Sequence, residues 1–232
     1  MVVTFCGSFI QSVCGFGSAI FTMSVFPYFM PYSMCVTLTG LTALSSNVGN
    51  VLPRIKFIRW KLLIAPLIGY FCFAAYSVIF AVSKSDSKLL NILLGIVLIL
   101  LSLYFIFFKD KIKIKPTFFN GLIVGALSGI MGGLFSISAP PIIVYLLSVT
   151  KDKDEYFANV MAYLMIANIY TGIFRAIKGL VTKEVLILWA LGTCMTVFGV
   201  FFGKKLVDKL NAQTVRKIIY IFMAISGLMM II

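Results

Sequence analysis

Two clusters of small polar residues lie inside apolar stretches of this chain. The first is Cys14-Gly-Phe-Gly-Ser18. The second is Ser128-Gly-Ile-Met-Gly-Gly-Leu-Phe-Ser136, followed by Ser138-Ala-Pro-Pro141. Glycine and proline interrupt a helix and leave backbone N–H groups without partners. Within a bilayer such breaks persist only where protein or a watery cavity surrounds them. The bare N–H groups at a helix start bind anions without any formal positive charge, and serine hydroxyls add donors. Gly15, Gly17 and Ser18, with Gly132, Gly133, Ser136 and Ser138, are therefore candidate substrate-binding residues. Pro27, Pro140 and Pro141 are candidate structural breaks. Close packing of helices through small residues is the competing explanation for the glycines.

Asn47 and Asn168 are further candidates for the substrate path. A buried amide in hydrocarbon must find a partner, and it serves either a path or the joining of helices. Gln11, Asn50 and Asn159 raise the same choice. Arg54 follows Asn47 by the interval that separates Arg175 from Asn168. Both arginines fall at span ends, where they either attract an anion or snorkel to lipid phosphate. The long apolar windows contain no Asp or Glu. Cation and proton carriers often place a carboxylate there, so its absence favours an anion over a cation. With no histidine in the chain, His-based catalysis and His-ligated metal are excluded. The five cysteines have no metal spacing and read as small buried hydrophobes. No metal site, no cofactor and no enzymatic constellation are expected.

These residues need a membrane-spanning scaffold to position them. The chain is 61% hydrophobic and only 12% charged, against about 25% charged in a soluble domain. No charged residue occurs before Arg54, and several later uncharged windows exceed the roughly 18 residues that mark a span. The sequence predicts an all-α integral membrane protein, multi-pass, in the cell membrane. No separate targeting peptide is expected, because a basic leader and a small-residue cleavage site are both missing. The net charge of +13 reads as basic loops that orient the protein and meet anionic lipid, not as a nucleic-acid surface.

About eight apolar segments follow one another: Thr4–Pro31, 34–53, 62–83, 89–108, 117–149, 156–174, 185–203 and 218–232. Residues 1–108 and 117–232 form two four-segment repeats around a basic linker, 109–116. The first segment of each repeat is too long for one crossing: 28 residues reach about 42 Å against a core of roughly 30 Å. Each is broken or re-entrant. If all eight segments cross, loops 54–61, 109–116 and 175–184 share a face. If segments one and five turn back, loops 54–61, 109–116, 151–155 and 204–217 share it, and the halves are inverted. A full span plus a half-helix in each opener is a third arrangement. Broken spans at matching positions of two halves point to a transporter site.

The chain resembles the sulfite exporter TauE/SafE family of membrane permeases. The resemblance rests on Gly7-Ser-Phe-Ile-Gln-Ser-Val-Cys-Gly-Phe-Gly17, on Gly125-Ala-Leu-Ser-Gly-Ile-Met-Gly-Gly133, on Ala139-Pro-Pro-Ile-Ile-Val-Tyr-Leu146, and on the Asn-rich ends of segments two and six. It implies duplicated halves, each opened by a glycine-rich signature and a proline. Gly15 and Gly17 match the first signature, Gly132 and Gly133 the second; Pro27, Pro140 and Pro141 match the trailing prolines. The first copy departs from the usual glycine run. The resemblance implies a permease for a small sulfur-containing or organic anion, such as sulfite, a sulfonate or thiosulfate. An anion channel, or an accessory subunit without transport of its own, are the alternatives. The expected partners are a small anion and the lipid bilayer, with a homo-oligomer left open.

Overall fold

A computed structural model describes residues 1–84, 88–107, 115, 117–150, 152–206 and 212–231. Apart from Lys115, the linker 109–116 lies outside them, as does Asp86 of the loop after segment three. The described residues form helices α1 (Val2–Cys14), α2 (Ser18–Met23), α3 (Tyr32–Val51), α4 (Trp60–Ser83) and α5 (Lys88–Phe107). Then come α6 (Phe118–Phe135), α7 (Ala139–Val149), α8 (Lys153–Ile177), α9 (Lys183–Leu206) and α10 (Ala212–Ile231). The protein is an all-α polytopic membrane bundle. Five helices (α4, α5, α6, α8 and α9) are long and apolar enough to cross a membrane, while α1 and α7 are shorter.

Each broken stretch forms a helical hairpin. The first helix ends at Gly15, whose φ of 83° lies in the left-handed region, and Gly17 at φ 112° turns the chain into α2. Only glycine adopts such angles without strain. The second hairpin turns at Ser136, the sole non-glycine residue with positive φ among those described, at 58°. Proline lies in the first turn of α7, where an N–H has no intrahelical acceptor.

Glycine decides which helices touch. On α6, Gly121, Gly125, Gly129 and Gly133 face Ala65, Pro66, Tyr70 and Ala74 of α4 in turn, so these helices run parallel. An added Cβ at Gly129 would sit 2.7 Å from the Tyr70 carbonyl oxygen. On α9, Gly192, Gly199 and Gly203 meet Thr4, Phe5 and Ser12 of α1, also in parallel. Close backbone approach through small residues is how helices associate where lipid is as apolar as leucine. α5 and α10 run antiparallel: Gly95 faces Gly227, and Ser102 Oγ donates to the Tyr220 carbonyl at 2.7 Å.

α3 and α8 pack antiparallel: Gly40, early in α3, faces Arg175 in the last turn of α8, while Arg54, just after α3, meets Asp154 in the first turn of α8. At one end, Arg54 pairs with Asp154 at 3.3 Å and Arg59 with Glu155 at 2.9 Å. Lys204 Nζ donates there to the Gly49 carbonyl at 2.6 Å. At the opposite end, Tyr32 Oη donates to the Leu134 carbonyl at 2.8 Å, close to the turn of the second hairpin. The polar end carrying the two ion pairs is called the basic end below.

Large apolar side chains such as Tyr76, Leu100, Val197 and Phe201 point outward, while Asn47, Asn50, Asn159 and Asn168 are buried. That distribution suits a lipid surround. It also corrects the expectation for the cysteines. Cys14 and Cys35 are buried, but Cys72 and Cys194 are exposed on the apolar surface. A thiol on a lipid-facing helix satisfies the same apolar pattern as one in a core.

Candidate functional site

The turns of the two hairpins meet at a narrow cavity between α3 and α8. Gly17 and Ser18 line it from the first turn, and Ser136 and Ser138 from the second. Asn47 of α3, Asn168 of α8 and Gln11 of α1 complete the polar lining. Seven of the residues singled out in the sequence thus come together, from stretches far apart in the chain.

Its electrostatics follow from amide pairing. Gln11 Nε2 donates to Asn47 Oδ1 and also approaches Met161 Sδ at 3.6 Å. This leaves Asn47 Nδ2 and Gln11 Oε1 buried without a partner. Rotating both amides exchanges their roles and still leaves one NH2 group and one carbonyl oxygen unpaired. An unmet buried donor costs about 1–3 kcal/mol, which a ligand acceptor restores. The neighbouring amide is different: Asn50 accepts from Ser12 Oγ at 3.2 Å and donates to the Ser46 carbonyl at 3.0 Å. Among the described residues no Asp or Glu lines the cavity.

The serines of the second turn do more holding than offering. Ser136 Oγ donates to the Val36 carbonyl at 2.7 Å, and Ser138 Oγ lies 3.3 Å from Tyr70 Oη. Ser128 Oγ donates to the Ser138 carbonyl at 2.6 Å. These bonds fix the turn against α3 and α4 and so fix the cavity wall. Ser18 Oγ stands beside Gly7, whose Cβ, if added, would lie 3.4 Å from it.

Other sequence candidates are placed elsewhere. Gly15 caps α1 and faces the Phe157 ring. Gly132 packs against Tyr70 and Ser138, and Gly133 against Ser77 and Ala74. Pro140 and Pro141 start α7, and Pro27 sits in the short 3-10 turn Phe26–Tyr28. Arg54 lies at the basic end, over the Phe157 ring as well as beside Asp154.

Arg175 does not snorkel outward. It is 2% exposed, and its Nη2 donates to the carbonyls of Gly132 and Gly133 at 3.1 and 3.2 Å. Gly40 of α3 makes room for it: an added Cβ would lie 2.7 Å from Arg175 Nη1. Tyr70 and Gly40 escaped the sequence reading. An isolated Tyr or Gly in an apolar run gives no hint of what faces it. Among the described residues no group of three His, Cys, Asp or Glu side chains could hold a metal ion.

Two hairpin turns facing one cavity across a helical membrane bundle invite comparison with known permeases. The family described as sulfite exporter TauE/SafE matches residues 1–230. The chain belongs to this family. A TauE/SafE relative from Cupriavidus necator, described as a probable sulfite/organosulfonate exporter TauE, is 22% identical over 227 residues. That match covers 92% of this chain and 85% of the relative. No solved structure matches. Family membership and the long apolar helices place this TauE/SafE protein in the membrane, as a multi-pass protein.

Proposed function

We propose that the chain is a secondary transporter for a small sulfur-containing or organic anion, of the sulfite, sulfonate or thiosulfate class. The observation that carries this reading is the cavity between the hairpin turns, where a buried amide NH2 lacks a partner and, among the described residues, no carboxylate lines the wall. A carboxylate-free, low-dielectric pocket with amide and backbone donors suits an anion that keeps its charge. Gly17, Ser18, Asn47 and Asn168 are its contacts, and Ser136 and Ser138 hold the opposite wall. The description of the Cupriavidus necator relative names sulfite and organosulfonate, two members of this class. Transport needs no covalent step and no cofactor.

The proposed architecture is two inverted halves, 1–108 and 117–232, joined by 109–116. Each half has a re-entrant hairpin followed by three crossings. Helix pairing supports it: α1 lies parallel to α9 as α6 lies parallel to α4, while α3 with α8 and α5 with α10 are antiparallel. The ion pairs Arg54–Asp154 and Arg59–Glu155 join two loops that eight full crossings would put on opposite faces. The basic end is then cytoplasmic by the positive-inside rule. Rocking of one half against the other exposes the cavity to each side in turn.

Counterflow into proteoliposomes of purified protein tests the function, using sulfite, thiosulfate, sulfoacetate, sulfate and short carboxylates. Saturable counterflow of a sulfur anion is expected. Insensitivity to every anion overturns the reading.

A further inference from the structure

We propose that Arg175 is a second anion-binding position on the transport path, taking the passing anion as its counterion. This rests on the anion-transport reading above. It starts from a charge that the fold leaves unneutralised. Among the described residues Arg175 forms no ion pair, and the two ion pairs found there lie at the other end of α8. Taking a guanidinium out of water costs several kcal/mol unless a counter-charge compensates it. Located in the last turn of α8, it had a short route to lipid phosphate and water. It is folded inward instead.

Its bonds to α6 explain part of this but not all. Two carbonyls at the C-terminal end of α6 accept from Nη2, a favourable arrangement for a cation at a helix C-terminus. A guanidinium has five N–H donors in a planar fork. The hydrogen bonds of Arg175 among the described residues all leave from Nη2. Nε and Nη1 keep N–H donors, each able to give an oxyanion a single charge-assisted hydrogen bond.

The location links two spaces. Arg175 and Asn168 are two helical turns apart on one face of α8, about 10 Å along its axis. Asn168 lines the cavity. Arg175 lines a separate cleft with Tyr32, Val36, Val78 and Leu180, towards the end away from the ion pairs. Ser136 bridges them: its Oγ and Arg175 Nη1 both lie within 3.3 Å of where a Gly40 Cβ would stand. An anion leaving the cavity along α8 therefore meets the open donors of Arg175 before it reaches the cleft.

The test uses sulfite as the probe, with counterflow and a sulfite-dependent rise in melting temperature read on purified full-length protein. Arg175→Gln is expected to raise the half-saturating sulfite concentration about tenfold or more, the loss of a charge-assisted contact. Arg175→Lys retains the charge and is expected to fall between wild type and Arg175→Gln. A second pair of variants leaves Arg175 in place. Val36→Asp supplies an internal counterion in the cleft, and Val36→Asn supplies polarity without charge. Val36→Asp is expected to need about tenfold more sulfite than Val36→Asn. This comparison decides the matter if Arg175→Gln does not fold. Wild-type sulfite dependence in Arg175→Gln, or equal dependence in the two Val36 variants, overturns the inference. Absence of any wild-type response to sulfite, thiosulfate, sulfoacetate, sulfate and short carboxylates instead removes the anion-transport reading beneath it.

Discussion

Gln11 and Asn47 share one side-chain hydrogen bond across the contact of α1 with α3, and each retains a buried amide atom with no partner. The bond leaves one amide NH2 of the pair, Asn47 Nδ2 in the orientation described, free to donate to a ligand. Asn47→Ala is expected to raise the half-saturating anion concentration about tenfold in counterflow, the worth of one hydrogen bond to a charged group. Asn47→Asp places a negative charge in the cavity and is expected to abolish flux. Membrane insertion of both variants is checked by extraction and size-exclusion profile. Unchanged flux in Asn47→Asp removes this residue from the site.

Gly17 and Gly133 should fail in different ways. Gly17 bounds the cavity at a φ of 112°, so Gly17→Ala strains the turn that shapes the wall. Its expected signature is lost flux with a smaller loss of melting temperature than Gly133→Val shows. Gly133 is a helix contact, where an added Cβ lies 2.7 Å from the Ala74 carbonyl oxygen. Gly133→Val should lower the melting temperature in detergent together with flux, because overpacking costs about 1–3 kcal/mol. Equal melting losses in both variants would contradict the separation.

The two arginines that follow an asparagine by the same interval should also behave differently. Arg54 is partly exposed and pairs with an Asp154 side chain that is 56% exposed. Exposed pairs contribute about 0–1 kcal/mol, so Arg54→Gln is expected to leave the half-saturating anion concentration within about fivefold of wild type. Salt titration of the melting temperature checks the weak, screened nature of this pair.

Topology is open to direct labelling. Single cysteines replacing Lys56, Lys153 and Lys178, in a chain freed of its native cysteines, are exposed to a membrane-impermeant maleimide on sealed cells. Positions 56 and 153 should label from one face and position 178 from the other. Labelling of 56 and 153 from opposite faces would sink the inverted, re-entrant arrangement.

Much of this was legible in the chain. The membrane class followed from uncharged windows too long for anything but a bilayer. The anion preference followed from the missing carboxylates. Gly15 and Gly17 marked the first hairpin turn, where glycine takes positive φ, but the glycines of the second stretch lie inside α6, and that hairpin turns beyond them at Ser136. The role of each glycine was not legible. Gly17 bounds the cavity, whereas Gly132 and Gly133 press α6 onto α4 and present their carbonyls to Arg175. Site glycines and packing glycines share one local signature, and what faces them comes from another part of the chain.

Arg54 and Arg175 show the division most clearly. Their spacing from Asn47 and Asn168 is written in the sequence, and so is Pro53, which lies in a 3-10 turn just after α3 ends at Val51. Arg54 therefore leaves the helical face of Asn47 and meets Asp154. Helix α8 continues to Ile177, so Arg175 stays on the face of Asn168 and turns inward. Residue types and periods along one chain specify membrane, breaks and charge. The partner of each buried group depends on long-range packing, where Gly40 leaves space on α3 and Gly132 offers a carbonyl on α6.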